Sequence, residues 1–401
     1  MSSAATTLPD LQLPAALHPL VLFLLDRPDL LNQLSLHLEA NRFLEAVVSL
    51  AEQHGIAVDE AALHAVLRPD PLGLGRFGPA PITLDQWPGA GWLPTRSIQT
   101  GGAPAFDWLW FGDRPLTAPF YEDDVRRAGA LPLNWLLRTR TGFDALVAGA
   151  DGADALPLNG LILHMSRCGS TLLTHMLGAV PGQAVSSEPE PLDAVLRWIA
   201  ASGMTPQAAA RPLQAMVAAL GRRPGSQFQR HLIKLEVWHT LFLPELQAAF
   251  PQVPWLYLHR DPVEVLVSQV AQASIHVVPG ALDEARLGIA GYDAGSQAEY
   301  SARVLGRCVQ GAVDHWPTSG GLLLDYANLL VGGAVQAAAH FGVTLTPADA
   351  AAMAASTGRD AKSPNQPFSD DRAQKRAAAT PELRAAAARW ITPAHGALLL
   401  R

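Results

Sequence analysis

The sequence predicts an α/β protein, a parallel β-sheet flanked by helices, with an N-terminal α-helical domain. Three observations predict it. Four short apolar runs, Leu161–His164, His231–Lys234, Trp255–His259 and Leu322–Tyr326, are separated by 20 or more residues of helical pattern, the spacing that a crossover between parallel strands requires. Ahead of them, over 17–67, apolar residues recur at helical intervals. Hydrophobic residues make up 49% of the 401 and charged residues 16%, which excludes disorder and supplies a sizeable core.

Taken in chain order, residues 1–70 read as a small helical domain. Leu30, Leu31, Leu34 and Leu38, then Phe43, Val47, Val48, Leu50 and Ala51, mark apolar helical faces before the break at Gly55. With Asp29-Leu30-Leu31 opening one helix, Phe43 to Ala51 forming another and Gly55 to Asp59 entering a third, this order is similar to the Nif11-like leader domain. An ordinary helical cap on the catalytic domain is the alternative.

Residues 71–149 read as a connecting arm followed by an aromatic-rich segment that packs on the catalytic domain. The stretch 69–105 is rich in Pro and Gly and has no regular period. After it, Phe106, Trp108, Trp110 and Phe111, then Phe120 and Tyr121, give the aromatic density of a core or an interface; lining a substrate pocket is the sharper alternative. Residues 150–401 carry the four strand candidates and read as one α/β domain.

Charge and cysteine content exclude several classes. A net charge of −7 lacks the basic surplus a nucleic-acid-coating protein needs. Lysine is scarce: Lys234, Lys362 and Lys375 are all there are, so each is worth locating. Cys168 and Cys308 make neither a disulfide framework nor a CxxC metal pair. The apolar run Leu20–Leu25 is far short of the ~20 residues that cross a bilayer and lacks the flanks of a signal peptide. A cytoplasmic protein with no membrane span is expected.

The strongest local signal is Leu161-Ile162-Leu163-His164-Met165-Ser166-Arg167-Cys168-Gly169-Ser170-Thr171-Leu172-Leu173. An apolar strand runs into a turn with one glycine and then into a helix with hydroxylic first residues, an order that points successive backbone N–H groups at one anion. It is not a Walker A loop: Met165 replaces the first glycine and no lysine follows Gly169. A second strand-to-helix junction comes at Trp255 to Ser268. There Asp261 can cap the next helix, Pro262 suits its first position, and Ser268 lies eight residues past Arg260. Guanidinium and hydroxyl would both address an anion at this strand end.

At these two motifs, about 90 residues apart, the chain resembles the sulfotransferase family, over roughly residues 105–395. The family's 5′-phosphosulfate loop in many members reads Pro-Arg-Ser-Gly-Ser/Thr-Thr-Leu-Leu, and here Cys168 replaces the family's serine. The resemblance implies a P-loop-like three-layer sandwich and 3′-phosphoadenosine 5′-phosphosulfate as co-substrate, without a metal. It also implies transfer of the sulfonate group to a hydroxyl or amine on a small-molecule or peptide acceptor. By the same resemblance, Ser166, Arg167, Cys168, Gly169, Ser170 and Thr171 hold the 5′-phosphosulfate, and Arg260 and Ser268 hold the 3′-phosphate. The stretch Asp360 to Arg376, with Lys362 and Lys375, resembles the basic loop that closes over the nucleotide. Leu324-Asp325-Tyr326-Ala327-Asn328-Leu329 is similar to the family's Tyr-Glu-Asp-Leu segment, with Ala-Asn after the tyrosine.

For the base, the tyrosylprotein and trehalose-type members place a glutamate shortly after the loop helix, where Glu188 stands, 17 residues past Thr171. Its neighbour Glu190 could raise its pKa or be the working group. Lys234 falls where related enzymes place a lysine on the bridging oxygen, so Lys234 and Arg167 are expected to stabilise the leaving phosphate oxygen. His239 is the other base candidate, five residues after Lys234 rather than two. His164 and His175 flank the loop without an assigned role. His259-Arg260-Asp261 imitates a kinase triplet or two ligands of an iron triad but lacks the companion motifs, and Thr174 stands where a Cys-x5-Arg phosphatase needs arginine. The other readings are a P-loop nucleotide kinase or NTPase and a non-catalytic peptide-binding scaffold. The N-terminal helices are where a partner or self-association is expected.

Overall fold

The computed structural model describes residues 13–67, 80–223, 227–291, 295–316, 320–358 and 371–401. The chain divides into two compact units: Met1–Pro115 with Glu122–Ala155 and Ala215–Ser226, and Leu116–Tyr121 with Leu156–Gln214 and Gln227–Arg401.

In the first unit the expected helices form over His18–Leu25, Pro28–Leu34, Ala40–Gln53 and Glu60–Val66. Asp59 starts the last of them by accepting the Ala62 N–H at 3.0 Å. The segment expected to be an irregular arm is corrected by the structure, because strands β1 (Ile82–Leu84) and β2 (Trp92–Ile98) lie within it. They join β3 (Ala105–Trp110) and β4 (Thr139–Thr141) in a sheet ordered β1-β4-β3-β2. The period was hidden because β1 has three residues and the pairing of β2 shifts register between Pro94 and Arg96, a bulge that lets a strand tolerate proline. Trp92, Phe106, Trp108 and Trp110 are buried, and Trp108 Nε1 donates to Thr141 Oγ1 at 2.9 Å. These aromatics are core.

The second unit holds five parallel strands: β5 (Leu158–His164), β6 (Gln183–Ser187), β7 (Arg230–Lys234), β8 (Trp255–His259) and β9 (Gly321–Asp325), in the order β6-β7-β5-β8-β9. Helices flank this sheet, as expected. Of the four strand candidates only the last overran, because Asp325 caps a helical turn by accepting the Ala327 N–H at 2.8 Å, and Tyr326 already belongs to that turn. β6 escaped notice because Gln-Ala-Val-Ser-Ser is polar, although all five residues are buried.

β5, first in the chain, lies at the centre of the sheet between β7 and β8. The strand order therefore reverses beside it, and a crevice opens past the carboxyl ends of the strands at such a switch point. His164, Ser187, Lys234, His259 and Asp325 end the five strands, so the turns that carry Ser166 to Thr171, Glu188 and Arg260 leave this one edge. No helix among the described residues is long and apolar enough to cross a membrane.

Candidate anion-binding and catalytic site

Between β5 and the helix Ser170–Gly178 the backbone turns left-handed at Ser166 (φ 57°), Arg167 (φ 46°) and Gly169 (φ 87°). Successive residues in that region curl their N–H groups toward one concavity. Ser166, Arg167 and Glu188 are the only non-glycine residues with positive φ among those described. All three belong to this site, and strain of this kind persists only where the surroundings hold it in place. Gly169 is required twice over: its φ suits glycine, and a Cβ there would lie 2.6 Å from the ring of Tyr326.

Each loop side chain has a defined place. Cys168 is buried and its thiol donates to the Leu258 carbonyl at 3.3 Å, away from the concavity, while burial pushes its pKa up to about 11. It is an inert packing residue here. Ser170 and Thr171 are buried in the first turn of the helix, where N–H groups lack intrahelical acceptors. The Arg167 guanidinium turns to Gln269 Oε1 (3.3 Å) and to the Gln272 carbonyl, so the structure does not bring it into contact with Lys234.

Lys234 is fully buried at the end of β7, with its Nζ 3.0 Å from Glu188 Oε1 and 3.3 Å from Thr171 Oγ1, and it lies over the ring of Phe120. Glu188 comes directly after β6, and its N–H donates to the Lys234 carbonyl at 2.8 Å. On the other side of the same carboxylate, His164 Nε2 stands 3.2 Å from Glu188 Oε1. Because His164 Nδ1 accepts the Ser166 N–H at 3.1 Å, the network assigns the ring proton to Nε2. Burial alone would raise the Glu188 pKa, but the Lys234 ammonium and His164 outweigh it and hold the carboxyl well below the usual range. Glu190 is exposed, in the first turn of the helix Glu190–Ser202.

His239 is engaged at both ring nitrogens: Nδ1 accepts the Glu236 N–H at 3.2 Å, and Nε2 faces Asp193 Oδ1 at 2.9 Å. The Asp193 carboxylate also takes Trp238 Nε1 at 2.8 Å and Arg197 Nε at 2.5 Å. Glu236, two residues past Lys234, is pushed the opposite way from Glu188, first by burial and then by the nearby charges of Glu188 and Asp193. His164, Asp193 and Glu236 were not singled out as site residues in the sequence. The signal that could have found Glu236 is the Lys-Leu-Glu order at a strand end, which places both charges on one side of an extended chain.

The second junction builds a cation cluster. Arg260 is buried past β8. Its Nε donates to Glu264 Oε2 (2.8 Å), one terminal nitrogen to Asp371 Oδ1 (2.8 Å), and the other to the Arg167 carbonyl (3.4 Å). The ring of Tyr326 covers the guanidinium at 4.3 Å. Lys375 Nζ reaches Asp371 Oδ2 at 2.7 Å, and Arg376 Nε reaches Glu264 Oε1 at 2.6 Å. Ser268 lies one turn beyond Glu264 on the helix Pro262–Ala271, on the same face. Lys362 lies outside the described residues. Among those residues, no group of three or more His, Cys, Asp or Glu side chains converges as metal ligands would.

A parallel sheet with a strained, glycine-bearing loop at its switch point, a buried lysine beside that loop and a second cationic group one strand away makes the second unit an α/β unit with a candidate anion site at the carboxyl edge of its sheet. Searches of protein-family models and of curated proteins give no match. Among solved structures, the chain is similar to the sulfotransferase domain of the Synechococcus PCC 7002 olefin synthase, at 18% identity, covering 59% of this chain and 89% of that one with a TM-score of 0.31. It is also similar to a sulfotransferase of Mycobacterium tuberculosis, at 16% identity, 58% and 78% coverage and a TM-score of 0.35. A mouse sulfotransferase complexed with PAP matches at 14% identity, 60% and 85% coverage and a TM-score of 0.31.

Proposed function

We propose that the protein transfers a sulfonate group from 3′-phosphoadenosine 5′-phosphosulfate to a hydroxyl or amine of a small-molecule or peptide acceptor, in a reducing cytoplasm that keeps Cys168 and Cys308 as thiols. The observation that carries this reading is the contact of Lys234 with both Thr171 and Glu188. A buried cation and a carboxylate base thus sit together at the mouth of an anion loop whose own sequence lacks a Walker lysine. In a P-loop NTPase the lysine comes from the loop itself.

The chain's groups divide the work between binding and proton transfer. The N–H groups of the loop 166–171 receive the 5′-phosphosulfate, and Arg260, Ser268 and Lys375 receive the 3′-phosphate. The acceptor oxygen or nitrogen bonds to sulfur as the bond from sulfur to the phosphate oxygen breaks. The acceptor proton passes to Glu188, and the electron pair leaves with the phosphate oxygen, next to which Lys234 places its charge. Glu188 is ionised while it faces Lys234, hence ready to accept that proton. Its basicity rises as Lys234 turns its charge to the leaving oxygen.

The test is a binding comparison, then turnover. A ligand at 100 times its dissociation constant stabilises a fold by ~2.7 kcal/mol, so 3′-phosphoadenosine 5′-phosphate should raise the thermal midpoint well above the shift that ADP gives. Arg260→Ala should abolish the difference. Equal shifts with the two nucleotides, or Mg²⁺-dependent ATP turnover, would remove the reading; labelled donor with an acceptor panel then identifies the acceptor.

A further inference from the structure

Every nitrogen of the Arg260 guanidinium is engaged. Glu264, the Arg167 carbonyl and Asp371 take the three, and Tyr326 covers its face. These bonds take three of its five N–H groups, one on each nitrogen, so a phosphate drawn to this guanidinium competes with those acceptors for its charge and for its fork of N–H groups. Two of the acceptors are fixed. The Glu264 side chain is 1% exposed and is also held by Arg376, and the Arg167 carbonyl belongs to the strained loop.

Asp371 differs on each count. Its side chain is 36% exposed. It stands at the start of the helix Arg372–Ala378 but makes no side-chain cap hydrogen bond, so the carboxylate's hold on that helix is its i,i+4 ion pair with Lys375. Its two oxygens instead bridge Arg260 at 2.8 Å and Lys375 at 2.7 Å, the two described cations assigned above to the 3′-phosphate.

We propose that Asp371 sets the affinity of this subsite as an internal competitor: its carboxylate holds Arg260 and Lys375 in the free protein and is displaced by the second phosphate of the nucleotide. This rests on the donor reading above. The displaced carboxylate remains tethered beside the cations it lost, so it opposes retention of every ligand that carries the 3′-phosphate, including the product nucleotide. Where release of product limits turnover, such a competitor raises kcat while it weakens binding.

The experiment is calorimetric titration of wild type, Asp371→Asn and Asp371→Glu with 3′-phosphoadenosine 5′-phosphate and with AMP, accompanied by dissociation rates. Asparagine removes the competing charge, so Asp371→Asn should bind the bisphosphate roughly tenfold tighter or more, the factor by which a competing free state taxes affinity. The gain should appear as slower dissociation. AMP, which leaves the contact untouched, should change by less than about twofold, and Asp371→Glu should behave as wild type. A purely orienting role for Asp371 cannot produce tighter binding, so an unchanged or weaker bisphosphate affinity in Asp371→Asn overturns the proposal while the donor reading stands. Failure of all three proteins to bind the bisphosphate overturns both.

Discussion

Lys234 Nζ stands 3.0 Å from Glu188 Oε1 and 3.3 Å from Thr171 Oγ1, so one ammonium ties together the end of β7, the end of β6 and the first turn of the loop helix. The Lys234 side chain is 0% exposed and Glu188 is 15% exposed. Charges so deep persist only when paired, and removing one partner strands the other.

Lys234→Met should therefore lower the unfolding free energy by ~2–4 kcal/mol, toward the lower side of what a broken buried pair costs because His164 remains beside Glu188. Lys234→Met combined with Glu188→Gln should recover part of that loss. Urea denaturation of the four proteins in the cycle gives the coupling, and strictly additive losses would contradict the pairing.

Glu188→Gln keeps the size and polarity of the side chain but cannot take a proton. Nucleotide binding should stay near wild type, while turnover falls by ~10²–10⁴-fold, the usual range for a lost general base. His239, with both ring nitrogens engaged, should matter to stability more than to the proton. Full activity in Glu188→Gln together with its loss in His239→Ala would transfer the role to the histidine.

The loop can be tested through one atom. Gly169→Ala adds a Cβ 2.6 Å from the Tyr326 ring at φ 87°, so the loop must shift and nucleotide affinity should drop. Adding Tyr326→Ala opens the space but leaves the left-handed backbone, which still costs ~1–2 kcal/mol. Partial rescue in the double variant is the expected titration result; full rescue would mean that sterics alone required glycine.

Stability should fall in mild acid for a reason located at the end of β8. Burial lowers the His259 pKa from 6.5 to about 4; Asp325 opposes the shift and His395 adds to it, the two imidazoles meeting at 3.1 Å. Between those values the unfolded chain binds the proton that the native state refuses. The contribution is thus whole above pH 6.5 and is lost as pH falls toward 4. The thermal midpoint of His259→Gln should change less steeply than wild type across this window, and parallel curves would place the acid sensitivity elsewhere.

A cut at residue 70 should not give a soluble fragment. The N-terminal helices share their compact unit with β1 to β4, and Arg114 donates to the Ser35 carbonyl at 2.5 Å. Removing the helices uncovers apolar surface that they bury. A soluble 71–401 chain with full nucleotide binding would show that the helices are dispensable to the second unit.

The sequence by itself determined the parallel sheet, its two strand-to-helix junctions and the cations placed there, because these are written in contiguous residues. A short apolar run must be a covered strand, a lone glycine between it and hydroxyl residues must be a tight turn, and Asp261-Pro262 must start a helix. Tertiary structure alone decided what converges on those junctions. The polar β6, the first sheet with its proline bulge, the turning of Arg167 toward Gln272, the engagement of His239 by Asp193 and the pairing of Arg260 with Asp371 all join residues remote along the chain. Which carboxylate a buried cation meets depends on strand order at the switch point, and no local period of the sequence carries that order.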